Sequence, residues 1–198
     1  MTFVVGITGS IAVGKSTVTD YLITHGYRVL DADKITHEAY IKGNECYSQV
    51  IQEFDCLDDN GCIDRKKLGD IVFGDSDAKK RLEDIVHPYV VQCLKKGINE
   101  CHDKIVFLDI PLLYEAHLEY LCDKIIVVYV DKDTQVKRLM NRNRIAKEKA
   151  LFLIDKQMSI EEKKKKADYI IDNRVYFDDL YKNIEKVLEV IKSEDLFK

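Results

Sequence analysis

The segment Gly9-Ser10-Ile11-Ala12-Val13-Gly14-Lys15-Ser16 limits what this chain can fold into more than any other. It follows an apolar run, Phe3–Thr8, and opens a helical pattern. In that context G-x-x-x-x-G-K-S is a phosphate-binding loop. Gly9 and Gly14 permit backbone angles that turn successive N–H groups inward around phosphate oxygens. The helix that follows adds the positive end of its dipole. Ala12 and Val13 supply backbone within the same cradle. Lys15 then neutralises charge on the β- and γ-phosphates, and the Ser16 hydroxyl ligates Mg²⁺. Thr17 adds a hydroxyl or N–H for the α-phosphate.

A loop of this kind needs a parallel sheet behind it, and the rest of the chain supplies one. Short apolar runs alternate with amphipathic stretches, the pattern of βα units. The runs Phe3–Thr8, Arg28–Asp31, Lys104–Ile110, Lys124–Val130 and Tyr169–Ile171 read as five strands. They are apolar at consecutive positions, which predicts strands covered on both faces. The expected fold is α/β, a P-loop architecture with a five-stranded parallel sheet flanked by helices. The first helix is predicted to run from the loop to Leu22 or Ile23 and to end near Gly26. About seventy residues separate the second and third strands, far more than a crossover requires. They include the turn signal Asp58-Asp59-Asn60-Gly61 and read as a helical insertion. The expected organisation is a single domain: a core of about residues 1–36, 104–133 and 167–198, the helical insertion at 37–103, and a second, basic insertion at 134–166. Leu180, Ile184, Val187, Leu188 and Ile191 recur at helical spacing and predict a closing helix over Asp178–Lys192.

Composition narrows the class. Hydrophobic residues are 46% and charged residues 33% of the chain, enough for a core and a solvated surface. A net charge of −4 argues against a general nucleic-acid binder. Cys46, Cys56, Cys62, Cys93, Cys101 and Cys122 form no CxxC pair and no zinc-finger spacing, so they are expected as reduced thiols, mostly packed as small apolar groups. The opening residues lack the basic start and long apolar run of a signal peptide, and no stretch approaches a membrane span. A cytoplasmic protein without membrane or nucleic-acid partners is expected; no feature specifies an oligomeric state.

Four further groups bear on chemistry. Asp109 closes the third strand, where P-loop proteins place a carboxylate near Mg²⁺. Asp31 and Asp33 end the second strand, and ligands of open α/β sheets lie beyond the carboxyl ends of strands. Asp33, further out, is favoured as the base that accepts a hydroxyl proton, while one of the pair caps the next helix. The second insertion carries Lys137, Arg138, Arg142, Arg144, Lys147 and Lys149. Arg138 and Arg142 are four apart and share a helical face, placing both to converge on one phosphate from a mobile lid. The run Lys163-Lys164-Lys165-Lys166 reads as solvated surface. His87, in Val86-His87-Pro88, is open between a structural and a catalytic role.

Taken in order, these segments resemble the dephospho-CoA kinase family along nearly the whole chain. The resemblance rests on Gly6-Ile7-Thr8-Gly9 with Gly14-Lys15-Ser16-Thr17, on Asp31-Ala32-Asp33, and on Val86-His87-Pro88. It continues through Asp109-Ile110-Pro111-Leu112-Leu113-Tyr114-Glu115, Gln135 with Arg138 to Arg142, Gln157-Met158, and Ala167-Asp168-Tyr169-Ile170-Ile171-Asp172-Asn173. It implies transfer of the ATP γ-phosphate to the ribose 3′-hydroxyl of dephospho-CoA, with Mg²⁺, by a nucleotide core, a helical CoA-binding insertion and a lid. It further implies Asp33 as the base, Arg142 with Arg138 as lid contacts to phosphate, and Asp33, His87 and Asp109 on the substrate side. The chain departs from the family where Ala12 stands for its usual glycine and Val13 for a small residue. Leu153 stands where the family's lid tends to carry a basic residue.

Two rival readings have their own signatures. A kinase for another small hydroxyl acceptor, such as a nucleoside or nucleotide, shares every element except the acceptor pocket. A GTP-binding switch requires D-x-x-G after the third strand and N-K-x-D after the fourth. The chain reads Asp109-Ile110-Pro111-Leu112 and Asp131-Lys132-Asp133 at those places, which disfavours the switch.

Overall fold

The computed structural model describes residues 2–174 and 177–194; the expected core range also includes 1, 175–176 and 195–198, which lie outside the described residues. In chain order the elements are β1 (Phe3–Thr8), α1 (Lys15–Thr24), β2 (Arg28–Asp31), α2 (Ala32–Ala39), α3 (Glu45–Glu53), α4 (Arg65–Phe73) and α5 (Ser76–Asn99). There follow β3 (Ile105–Asp109), a 3₁₀ turn at Glu119–Leu121, β4 (Lys124–Tyr129), α6 (Lys132–Asn143), α7 (Lys147–Ile154), α8 (Ile160–Lys166), β5 (Tyr169–Asp172) and α9 (Phe177–Glu194). The chain divides into two compact units, Met1–Leu30 with Glu100–Lys198, and Asp31–Asn99.

The first unit holds the parallel sheet, in the order β2-β3-β1-β4-β5. Its three inner strands are buried at successive positions, from Val4 to Thr8, Ile105 to Asp109 and Ile125 to Tyr129. The edge strands β2 and β5 are only partly covered, because each has a neighbour on one side alone. Gly26 takes a φ of +82°, so α1 ends with the N–H of Gly26 donating to Ile23 O and that of Tyr27 to Leu22 O. The closing helix α9 buries Leu180, Ile184, Leu188 and Ile191, the spacing read from the sequence. It meets α1 where the Tyr21 hydroxyl donates to Glu185 at 2.9 Å. Helices α6 and α7 enclose a small core of Val136, Leu139, Ala150 and Ile154, with Ile11, Ala12 and Leu153 packed against it. Leu153 is therefore apolar because it helps close this cluster.

The second unit is helical, apart from the bridge Leu57↔Ile63 flanking the Asp58–Gly61 turn. Gly61 adopts φ +72° there, and the Asp58 carboxylate accepts N–H bonds from Asn60 and Cys62. Each helix start is held locally: Asp31 caps α2, Asn44 caps α3 and Asp64 caps α4. Asp75 accepts from the N–H groups of Asp77 and Ala78 at the start of α5. The core gathers Val50, Phe54, Leu68, Val86, Val90 and Leu94. All six cysteines are free; Cys46 and Cys56 are buried, and Cys62 is exposed. Among the described residues no helix is long and apolar enough to cross a membrane.

Candidate active site

β1 delivers the chain into the phosphate loop, and two left-handed residues shape it. Ala12 has φ +63° and Gly14 has φ +86°. Glycine reaches this region freely, whereas an alanine pays about 1 kcal/mol to enter it. Ala12 is thus a strained stand-in for glycine, held in place by the α6–α7 core beneath it. Gly14 is constrained for a second reason: a Cβ there would lie 2.2 Å from Nδ2 of Asn173. Gly14 caps α1 without any side-chain hydrogen bond, which suits a helix N-terminus that receives phosphate.

A loop that turns its N–H groups inward turns carbonyls outward, and these need donors. Residues far along the chain supply them. Gln135 Nε2 donates to Ile11 O at 2.7 Å, and Asn173 Nδ2 donates to Val13 O at 2.7 Å. The Arg138 guanidinium reaches Val13 O at 3.4 Å and Asn173 O at 2.8 Å. Lys163 Nζ donates to Gly9 O at 3.2 Å. The N–H of Ile11 is taken by Gln157 Oε1 at 2.8 Å, and Ser10 Oγ donates to Met158 O at 3.2 Å.

Asp109 ends β3 opposite Ile7 of β1, so its carboxylate emerges beside the loop. It is 6% exposed and forms an ion pair with Lys15. Ser16, in the first turn of α1, places a hydroxyl on the same stretch of chain. A carboxylate and a hydroxyl are hard oxygen donors that fit Mg²⁺, and a Mg²⁺–nucleotide needs few protein ligands because phosphates and water complete its shell. Among the described residues no three His, Cys, Asp or Glu groups gather into a separate metal cage.

The remaining sequence-predicted residues fall as follows. Asp31, not Asp33, caps α2, accepting from the N–H of Lys34 at 3.0 Å. Asp33 sits in the first turn of α2 and is exposed. The end of β2 at Asp31 breaks the strand alternation that would have aligned the two carboxylates. His87 is exposed on α5, next to Pro88, which lies inside that helix and deprives the Asp84 carbonyl of its usual donor. Arg138 holds the Val13 and Asn173 carbonyls, while Arg142 is exposed and its Nε donates to Asn143 at 2.9 Å.

One expectation is overturned. Lys163 is not solvated surface: it is fully buried. Besides Gly9 O, its ammonium donates to Pro111 O at 2.9 Å and pairs with Glu115 Oε1 at 3.0 Å. Burial pulls its pKa below the usual lysine range, and the Glu115 carboxylate opposes that shift. Glu115 also accepts the N–H of Met158 at 2.9 Å. The signal was present in the sequence as Ile160, three residues earlier on the same helical face and itself buried. Counting the lysines as one run hid it.

A phosphate cradle at the carboxyl end of β1, a carboxylate at the end of the adjacent strand and this strand order define a P-loop kinase fold. The same fold alone is shared with the shikimate kinase of Bacteroides thetaiotaomicron, at a TM-score of 0.56 and 11% identity, covering 96% of this chain and 98% of that one. The dephospho-CoA kinase family profile matches residues 3–179, and the chain belongs to that family. It is 44% identical to the dephospho-CoA kinase of Bacillus licheniformis over 194 residues, 96% of each chain. With that of Listeria innocua it shares 42% over 193 residues, 95% of each. The structure of the dephospho-CoA kinase from Campylobacter jejuni superposes at a TM-score of 0.74 with 36% identity, covering 96% of this chain and 98% of that one.

Proposed function

We propose that the chain transfers the γ-phosphate of ATP to the ribose 3′-hydroxyl of dephospho-CoA, giving CoA and ADP in the last step of coenzyme A synthesis. Membership of the family supports the reaction, and the Lys15–Asp109 pair beside the α1 N-terminus carries the site. Gly9 to Thr17 cradle the ATP phosphates. With ATP bound, Lys15 would exchange the Asp109 carboxylate for β/γ-phosphate oxygens, and Asp109 and Ser16 would be the residues to hold Mg²⁺. When bound, the metal would supply charge neutralisation on the β- and γ-oxygens.

Asp33, two residues past the end of β2, accepts the proton of the 3′-hydroxyl as its oxygen attacks the γ-phosphorus. The bond from the γ-phosphorus to the β–γ bridging oxygen breaks, and ADP leaves with that oxygen's charge. Arg138, already at the rim of the cradle, and Arg142, one turn further on α6, neutralise the charge on the transferring group. His87 is assigned to the dephospho-CoA side together with Asp33 and Asp109. The helices of 134–166 act as the lid, and those of the insertion bind the CoA moiety. We place the reaction in the cytoplasm, in keeping with six free thiols.

An ADP-release assay across dephospho-CoA, nucleosides and nucleoside monophosphates tests the acceptor. Turnover of a nucleoside but not of dephospho-CoA overturns this reading. Asp33→Asn should lower kcat by about 10²–10⁴ and leave ATP binding unchanged. Near-wild-type turnover in that variant removes Asp33 from the base role.

A further inference from the structure

The pairing of β1 with β3 ends at Ile7 and Asp109. Beyond it the two chains serve different walls of the site. Two residues past Ile7, Gly9 enters the phosphate cradle; two residues past Asp109, the chain turns at Pro111. Pro111 has no N–H, so the ladder cannot continue from its side. Among the described residues, no backbone donor is given to the carbonyls of Gly9 and Pro111.

Lys163 fills that gap from α8. An ammonium has three protons, and here they meet three acceptors: Gly9 O at 3.2 Å, Pro111 O at 2.9 Å and Glu115 Oε1 at 3.0 Å. Glu115 is in turn tied to the N–H of Met158, and Ser10 Oγ is tied to the Met158 carbonyl. A second contact, from Thr8 Oγ1 to Pro111 O at 2.9 Å, leaves the Pro111 carbonyl gripped from both sides.

We propose that Lys163 is a positioning residue that sets the distance between the phosphate cradle and the Asp109 carboxylate, and through it the preference of the site for Mg²⁺-bound over metal-free ATP. The inference rests on the nucleotide-binding half of the function above and is independent of the acceptor. Mg²⁺ demands near-ideal octahedral geometry at short distances, so a small drift between the wall carrying Ser16 and the wall carrying Asp109 penalises the metal complex selectively.

The test is equilibrium binding of ATP at saturating Mg²⁺ and in EDTA, with the thermal midpoint measured beside each titration. The ratio of the two affinities measures the coupling between metal and nucleotide. Lys163→Met should lower that ratio by about tenfold or more, and Lys163→Arg, which keeps the charge but replaces the compact ammonium with a longer planar fork, by about threefold. Glu115→Gln leaves the ammonium on the two carbonyls and should keep the wild-type ratio even where it lowers the midpoint. A Lys163→Met protein that melts earlier but retains the wild-type ratio overturns the proposal, because its role is then only to hold α8 to the sheet. Should Lys163→Met fail to fold, an unchanged ratio in Lys163→Arg overturns it equally. Wild-type protein that binds Mg²⁺-ATP but does not phosphorylate dephospho-CoA would sink the acceptor assignment and leave this test standing.

Discussion

The phosphate cradle and the helical unit solve the same problem in opposite ways. In both, backbone polar groups at the ends of elements need partners. Across residues 31–99 the partners are near in sequence: Asp31, Asn44, Asp64 and Asp75 each accept N–H bonds from residues two or three further on. Around the cradle they are remote. Gln135, Arg138, Gln157, Lys163 and Asn173 all bond the backbone of residues 9–13 from the second half of the chain. Local capping makes each helix start self-sufficient. Remote bracing makes the cradle a property of the completed fold, so its shape is exact only when β4, α6, α8 and β5 are in place.

Substitutions that strike remote braces should therefore perturb ligand binding, and those that strike local caps should change stability alone. The largest effect is expected for Gly14→Ala. Its Cβ would meet Asn173 Nδ2 at 2.2 Å, at a residue with φ +86°, and ATP affinity should fall about tenfold or more in a binding titration. Asn173→Ala removes the 2.7 Å bond to Val13 O and should cost about 1–3 kcal/mol in denaturant unfolding, with a parallel loss of ATP affinity. Asn44→Ala, its local counterpart on α3, should cost about 1 kcal/mol and leave ATP affinity untouched. Lost affinity in Asn44→Ala would break the distinction. Ala12→Gly relieves the φ of +63° and should raise stability by no more than about 0.5 kcal/mol, since the freer unfolded chain offsets most of the gain.

The smallest effect concerns pH. The N–H groups of Lys67 and Lys66 hold the Asp64 carboxyl below the usual carboxylate range. A depressed folded pKa contributes stability above the unfolded value and loses it as pH falls through the folded one. Thermal midpoints of wild type and Asp64→Asn should therefore differ at neutral pH and converge in acid. A gap that persists at low pH would mean that the cap acts by shape and not by charge.

Locality also explains what could be read in advance. β1 and β2 fall at the expected residues, β4 and β5 differ by one residue at one end and β3 by one at each end, because buried parallel strands announce themselves as consecutive apolar runs. The turn at Asp58–Gly61 and the apolar stripe of α9 were legible for similar reasons. At the site, the spacing from Gly9 to Ser16 was enough to specify the cradle. Its bracing was not, since a bond between Lys163 and Gly9 spans 154 residues and has no local signature. Arg138 shows the other side of this: its position on a helix face was readable, but its bonds to Val13 O and Asn173 O were not. Leu153 looked like a missing lid cation until α6 and α7 supplied the apolar cluster that it completes.

The lysine run that conceals the buried residue also protects it against small genetic accidents. α8 is registered from its Ser159 capping box, so what matters is which residue stands four places after that cap. Deletion of any single codon from 163 to 166 keeps Glu162 in the capping box and still leaves a lysine there, because Lys163 is followed by three more of its kind. The damage moves instead to the other end of the helix, where the link through Ala167 into β5 becomes one residue shorter. Repetition in this segment thus works as tolerance: the buried ammonium is insured against slippage, and the length of the connection to the sheet is not.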